Sequence, residues 1–161
     1  MLEKNIKGIN YSLNEETLTA EVIEQKNGYD GDIIIPETTV FNEVSYRVTS
    51  IGKRAFEECS SLTSIIIPDG LTSIGDCAFS GCKSLTSIVI PDGVTSIGDW
   101  AFSGCFSLTS IVIPDGVTSI GDLAFNACFS LTSIVIPDSV TSIGREAFNG
   151  CKSLEQMPIQ E

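Results

Sequence analysis

Residues 85–107 read LTSIVIPDGVTSIGDWAFSGCFS, and nearly the same 23 residues recur on either side of them. Full units begin at Leu62, Leu85, Leu108 and Leu131, and a half unit at residues 154–159 follows the last of them. A fixed period of this length predicts a solenoid, in which each repeat forms one coil that packs against its neighbours.

The apolar spacing within one unit predicts three short faces. Residues 87–90 alternate as a β-strand does, and Pro91 ends that strand because proline has no N–H for the ladder. Residues 94–97 predict a second extended face, and Asp99 is expected to cap one helical turn through Phe102. One coil buries too little apolar surface to offset the entropy of ordering its backbone, so stacking must stabilise it. We therefore predict a right-handed coil of short parallel strands joined by short helical or 3-10 turns.

The chain before the repeats predicts a cap. Apolar residues alternate over residues 9–13 and 18–22 around the turn residues 14–16, which is a hairpin pattern. Nine extra residues between Pro36 and Val48 predict a second, inserted hairpin. We expect a single structural domain, with an N-terminal β-hairpin cap and irregular first coil at residues 1–48 and the solenoid at residues 49–161. Pro158 should blunt the last strand edge against further pairing.

Composition excludes several functions. Nine Lys and Arg face 21 Asp and Glu, a net charge of −12, which argues against nucleic acid and anionic membranes as partners. The absence of His removes Ser–His and Cys–His nucleophile pairs and His-ligated zinc. No apolar run approaches the ~20 residues of a spanning helix, so membrane insertion is not expected. The polar start of the chain predicts no signal peptide, which leaves the localisation open from the residues alone.

The unit Leu-x-x-Ile-x-Ile-Pro-x-x-Val-x-x-Ile-Gly-x-x-Ala-Phe-x-x-Cys closely resembles the BspA-like class of leucine-rich repeats. The resemblance covers Ile33 to Cys151, and the segment from Tyr11 to Pro36 is similar to the family's N-terminal cap. It implies a curved solenoid with no catalytic residues and no cofactor. Family members are typically bacterial or protist surface proteins, and some are adhesins for host matrix proteins such as fibronectin. The resemblance thus implies a cell-surface or secreted virulence protein.

Five of the six cysteines hold one repeat position, and we expect them to form a ladder of buried, free thiols. The members of this ladder are Cys59, Cys82, Cys105, Cys128 and Cys151. No Cys-x-x-Cys pair suggests a zinc site. Cys77 lies outside the ladder, so we expect it to be exposed, as a reactive thiol, an intermolecular disulfide partner or an ordinary surface substitution.

Aspartates also form two columns. Asp69, Asp92, Asp115 and Asp138 follow the strand prolines of the full units, and Asp76, Asp99 and Asp122 follow three of the repeat glycines. Carboxylate columns of this kind suit calcium, but each Asp also has a local role in a turn or a cap. We therefore predict no metal site.

Departures from the repeat mark a candidate contact surface. Phe106 and Phe129 replace polar residues that follow the ladder cysteine, and Trp100 and Leu123 replace charged residues two positions before the repeat Phe. We expect these four residues to form one exposed patch, called the aromatic patch below, with a charged rim of Lys83, Lys152 and Glu146. The alternative is that they shield one another at the edge of the core.

A uniform surface is the second candidate. We expect a concave strand face with a column of serines beside a column of branched apolar residues. Its members are Ser64, Ile66, Ser87, Val89, Ser110, Val112, Ser133 and Val135. Uniform positions are already explained by stacking, so the sequence alone favours the aromatic patch.

Two functions of different classes follow. The first is a non-enzymatic, adhesin-like module that binds host or cell-surface proteins, such as proteins of the extracellular matrix. The alternative is a structural unit that associates with itself into homo-oligomers. A chain without His and without an evident pocket is a poor candidate for an enzyme.

Overall fold

In the computed structural model the described residues are 1–155, and they form a stack of coils made of 14 β-strands. The strands are β1 Leu2–Ile6, β2 Ile9–Asn14, β3 Thr19–Val22, β4 Gly31–Ile34, β5 Thr38–Phe41, β6 Val44–Ile51, β7 Leu62–Ile66, β8 Ser73–Ile74, β9 Ser87–Val89, β10 Ser96–Ile97, β11 Ser110–Val112, β12 Ser119–Ile120, β13 Ser133–Val135 and β14 Ser142–Ile143. The half unit beyond Glu155, with Pro158, lies outside the described residues.

Each full repeat contributes one strand to each side of the stack. One side is a nine-stranded sheet in the order β1-β2-β3-β6-β8-β10-β12-β14, with β5 paired to β6. The other side carries β4 paired with β7, and β9, β11 and β13 in a parallel sheet. Repeat positions pair in register, as Ile111 does with Ile88 and Ile134. The predicted parallel solenoid is therefore confirmed.

The core consists of columns of equivalent residues. The strand isoleucines Ile65, Ile88 and Ile111 are buried, and Ile134 is partly buried against the core. The repeat phenylalanines stack nearly face to face, with ring centroids 5.2 to 5.5 Å apart from Phe56 through Phe148. Every coil thus buries its apolar groups mainly against the coils above and below it.

The predicted helical turn is wrong, because two β-turns occupy its place. Ala101 N donates to Gly98 O at 3.3 Å and Cys105 N donates to Phe102 O at 3.3 Å. The third residue of each turn is left-handed, with φ of 60° at Trp100 and 73° at Gly104. Alternate N–H groups reach across to the next coil, as Phe102 N does to the Ala124 carbonyl oxygen at 2.8 Å. In a helix these N–H groups would donate to carbonyl groups of their own coil. Here they donate to the next coil, so two turns form in place of the helix.

Both predicted hairpins are present at the N-terminal end. β2 pairs antiparallel with β3, and β5 with β6. Leu18 was expected in β3 but is exposed with φ of 55°, so it belongs to the turn. β1 pairs antiparallel with β2 and was not predicted, because its residues are only half-buried on one side. β6 runs across residue 48, and the division between cap and solenoid there stays a prediction.

Candidate functional site

The outward side chains of β4, β7, β9, β11 and β13 form one surface, called the strand face below. Pleating sends alternate residues outward, so each strand of a full repeat exposes one serine and one branched apolar residue. The apolar column consists of Ile34, Ile66, Val89, Val112 and Val135, which are 59 to 79% exposed. Ser64, Ser87, Ser110 and Ser133 lie beside it and are exposed. The residues are positioned as expected, whereas their role in binding stays a prediction.

Hydroxyl groups on this side divide into two columns with different partners. Asp32 occupies the first position of the serine column, and its carboxylate accepts hydrogen bonds from Ser64 Oγ at 2.7 Å and Thr63 Oγ1 at 2.9 Å. These bonds hold the pKa of Asp32 below its ordinary value. Two threonine hydroxyls bond back to the preceding coil, Thr109 Oγ1 to the Thr86 carbonyl oxygen and Thr132 Oγ1 to the Thr109 carbonyl oxygen, both at 3.3 Å. They stabilise the stack, whereas the serines past Ser64 face solvent.

Neighbouring threonines and serines on this side of the stack are both exposed, although strand alternation alone would send them to opposite sides. Thr86 and Ser87 are both exposed, as are Thr109 and Ser110. The reason is that β9 begins at Ser87, so Thr86 lies in the preceding corner, where strand alternation does not apply.

An aspartate column borders the strand face at the carboxyl ends of its strands. Its members are Asp69, Asp92, Asp115 and Asp138, all exposed. Each follows the strand proline in a β-turn, such as the one closed by the bond from Val94 N to Pro91 O at 3.1 Å. Within residues 1–155 none of these four carboxylates has a hydrogen bond or an ion pair.

The other aspartate column has a structural role, different from the predicted helix cap. Asp99 Oδ1 accepts a hydrogen bond from Asp122 N at 2.7 Å, and Asp76 Oδ1 accepts one from Asp99 N at 2.8 Å. Asp122 does the same for Arg145 N at 2.7 Å. Each carboxylate therefore ties its own coil to the backbone of the next one. Among the described residues no group of three or more Cys, Asp or Glu side chains is arranged to hold a metal ion.

Two members of the aromatic patch are in direct contact. The rings of Phe106 and Phe129 stack with centroids 4.9 Å apart and an interplanar angle of 11°. Lys83 Nζ lies over the Phe106 ring at 5.9 Å from its centroid, and Lys152 Nζ lies over the Phe129 ring at 4.9 Å. The lysines therefore cover the outer ring faces, and each Phe is only 38% exposed.

Trp100 and Leu123 occupy a different turn from the stacked rings. They hold the left-handed third position of the turn after each short strand, with φ of 60° and 53°. Trp100 is 43% exposed and Leu123 is half-buried. Phe106 instead lies in the turn from Cys105 to Leu108, which leads into β11. Trp100 takes part in no ring stacking among the described aromatic residues, so a single four-residue patch stays a prediction.

The cysteine ladder is buried as expected, except at its end. Cys59, Cys82, Cys105 and Cys128 are buried free thiols, and Cys151 is partly buried. Ladder thiols donate to backbone, as Cys105 Sγ does to the Phe79 carbonyl oxygen at 3.2 Å. Burial raises the pKa of Cys105 to about 12, which makes its thiolate inaccessible near neutral pH.

Cys77 is less exposed than the sequence predicts. It is partly buried, and this burial, reinforced by the negative charge of Glu57, raises its pKa. Cys151 is also only partly buried, and its thiol donates to the Phe125 carbonyl oxygen at 3.1 Å.

A cavity of about 300 Å³ lies in the cap, at the end of the apolar column. Its lining is mostly apolar and includes Ile6, Ile9, Val40 and Ile34. Because Ile34 pairs in register with Ile66, the cavity continues directly into the strand face. Sequence reasoning missed it, since it forms between the two hairpins. No helix of the described residues is long and apolar enough to cross a membrane.

Comparison with known proteins supports the sequence resemblance. The pattern of the BspA type leucine rich repeat region matches residues 41–161 in six copies. A solved leucine-rich repeat protein from Bacteroides ovatus is 38% identical with a TM-score of 0.88, over 98% of this chain and 42% of that one. A leucine rich cell surface protein from Faecalibacterium prausnitzii is 27% identical with a TM-score of 0.60, over 99% of this chain and 55% of that one.

The leucine-rich repeat protein of T. pallidum is also 27% identical, with a TM-score of 0.78, over 99% of this chain and 84% of that one. The chain thus spans about half the length of the first two solved proteins. No curated protein matches it.

Proposed function

This chain belongs to the BspA-type leucine-rich repeat family, and on that premise we propose that it is an adhesin-like module that binds host or cell-surface proteins without catalysing a reaction. Leucine-rich repeat arrays are a general protein-interaction fold. Surface display is supported by the Faecalibacterium protein, which is described as a cell surface protein.

The observation that carries the proposal is the exposure of the strand face. Val89 is 79% and Val112 is 74% exposed, although both are large apolar side chains in regular strands. Single exposed apolar residues are common, but a contiguous column marks an interaction surface. Stacking requires only the inward residues, so it does not explain why the outward position repeats Ile or Val instead of a polar residue.

Exposure also favours the strand face over the aromatic patch. The Phe106 and Phe129 rings cover each other, and lysines lie over their outer faces. We therefore propose the strand face as the primary binding surface and the aromatic patch as the secondary one. This reverses the order that the sequence alone favoured.

The test is binding to immobilised fibronectin, used as a representative matrix protein, followed by surface plasmon resonance. The double variant Val89→Ser with Val112→Ser should weaken binding by about tenfold or more. The matched double variant Trp100→Ala with Phe129→Ser should change it less than about threefold. The opposite ranking would move the site to the aromatic patch, and a wild-type chain that does not bind would overturn the proposal for matrix proteins.

The second candidate function is self-association into homo-oligomers. It is favoured by the same apolar column and by Ile143, which is exposed on the last described strand. Light scattering over a hundredfold range of concentration distinguishes the two functions. A mass that rises with concentration, and that falls back in the Val89→Ser with Val112→Ser variant, would support self-association in place of partner binding.

A further inference from the structure

We propose that the strand face takes a basic amphipathic helix of a partner protein, an inference that rests on the proposed binding role of this face. The apolar stripe of the helix would lie along the aliphatic column. Its basic side chains would lie against the aspartate column at the edge.

The charge of the central coils specifies a basic partner. Residues 84–144 contain five acidic residues, Asp92, Asp99, Asp115, Asp122 and Asp138, and no Lys, Arg or Glu. Every charged side chain of these central coils is therefore negative. Complementary positive charge would speed the encounter and fix its orientation.

The two aspartate columns differ in a way that points to the strand-face edge. Asp99 and Asp122 already bind backbone N–H groups of the next coil. Asp92 and Asp115, at the strand-face edge, have no partner within the described residues. Like charges repeated every ~4.8 Å along the stack repel one another, and cations of a partner would relieve that repulsion.

The edge is close enough to act together with the apolar column. Asp92 is three residues beyond Val89, which places their Cα atoms at most ~11 Å apart. A lysine on the flank of a helix centred on the column spans that distance with its flexible four-carbon stem.

Spacing favours a helix over an extended segment. Strands repeat every ~4.8 Å, so the five apolar residues of the column extend over ~19 Å. One helical turn rises 5.4 Å, so about four turns of an apolar stripe stay within ~2.4 Å of register over that length. Same-face residues of an extended segment are ~6.7 Å apart, so their offset from the strands reaches ~3.8 Å at the third strand and grows from there. An amphipathic helix also presents its residues i, i+3, i+4 and i+7 as one apolar stripe, which matches a single continuous apolar column.

The experiment uses labelled synthetic peptides and the complete chain, with fluorescence anisotropy as the readout. The first peptide has ~18 residues, with Leu at helical i, i+3, i+4 spacing and Lys elsewhere. The second replaces every Lys with Glu. The third has the composition of the first but alternates Leu and Lys, which is the period of a strand.

The first peptide should bind at least about tenfold more tightly than either of the others. Its affinity should fall when salt rises from about 0.05 to 0.5 M, because exposed charges are screened. Equal binding of the alternating peptide would overturn the helix in favour of an extended partner. Equal binding of the Glu peptide would overturn the role of charge.

Two variants of equal net charge locate the contact. Replacing Asp92, Asp115 and Asp138 by Asn should weaken binding of the first peptide about fivefold or more. Neutralising Glu3, Glu15 and Glu16 of the cap to Gln removes the same charge elsewhere and should change affinity by less than about twofold. If both variants lose the same affinity for the first peptide, binding depends only on the net charge of the chain, and the inference is overturned. Circular dichroism confirms that both variants are folded.

The failure of this inference is separable from that of the proposed function. If fibronectin binding depends on Val89 and Val112 while the Lys peptide does not bind, the helical partner is refuted and the binding role of the face stands. If the Lys peptide binds and is insensitive to Val89→Ser with Val112→Ser, the strand face itself is refuted as the site.

Discussion

Replacing Ile111 at the centre of the stack tests the proposed packing most severely. Ile111 is 4% exposed, lies in the middle strand of its sheet and pairs in register with Ile88 and Ile134. Ile111→Ala removes buried methyl groups and leaves a cavity, which should lower the free energy of unfolding by about 2–5 kcal/mol. Ile111→Asp also buries a carboxylate with no partner, so its cost should exceed 5 kcal/mol, roughly the entire stability of a marginal domain.

The neighbouring residue supplies a matched control. Val112 is in the same strand but faces solvent, so Val112→Asp should change the free energy of unfolding by less than about 1 kcal/mol. Melting followed by circular dichroism, with urea unfolding where the variant remains folded, measures all three. If Ile111→Asp melts at the temperature of Val112→Asp, the inward register of Ile111 is incorrect.

The pH dependence of Ile111→Asp provides a second check. Burial raises the pKa of the new carboxyl in the folded state above its unfolded value of ~3.9, so the folded state binds the proton more tightly. Stability of this variant is therefore highest below about pH 4 and falls as pH rises through the folded pKa. Ile111→Ala lacks the carboxyl and should show no such recovery in acid relative to the wild type. An Ile111→Asp variant that gains nothing over Ile111→Ala at low pH would show that residue 111 is solvated.

Three further predictions concern other columns. Brief alkylation of the folded chain followed by mass mapping should label the partly buried Cys77 and Cys151 before the buried Cys105, because burial blocks access and disfavours the thiolate. Rapid labelling of Cys105 would contradict the buried ladder. Asp99→Ala should lower the free energy of unfolding by about 1 kcal/mol, since it removes the hydrogen-bond acceptor for the Asp122 N–H of the next coil. Asp92→Ala should change it by less than about 0.5 kcal/mol. Equal losses in urea unfolding would contradict the different roles of the two aspartate columns. Glu146→Gly, at a φ of 52°, should melt at or above the wild-type temperature because glycine tolerates this conformation, and a clear loss would argue against the left-handed turn.

Much of the fold was predictable because the same 23-residue pattern recurs in four full units. The period identified the solenoid, and alternation around Ile88 identified the strand and its inward residues. The turn after each repeat glycine was mispredicted for a physical reason. Local propensity favours a capped helical turn there, but the N–H groups of Trp100 and Phe102 bond to the next coil instead. Such competition between local and inter-coil hydrogen bonds is not visible within a single unit.

The residues of both candidate surfaces were predictable from the sequence, but the preference for the strand face over the aromatic patch was not. Sequence comparison between coils identified Phe106 and Phe129 as departures, and the same column also contains Lys83 and Lys152. Reading that column in stacking order would have indicated lysines over both outer ring faces. The continuity of Ile34 with the column could not be foreseen, because it depends on how the irregular first coil pairs with β7.

Photo-crosslinking tests the central claim, that the strand face makes the contact. Benzoylphenylalanine is placed at Val112 on the strand face, at Thr118 beside β12 of the opposite sheet, or at Trp100, and each chain is irradiated with the Lys-and-Leu helical peptide. All three side chains are exposed, so each probe is accessible from solvent. The account predicts a covalent adduct from residue 112 and only background from residues 118 and 100. An adduct from residue 100 or 118 without one from residue 112 would contradict it.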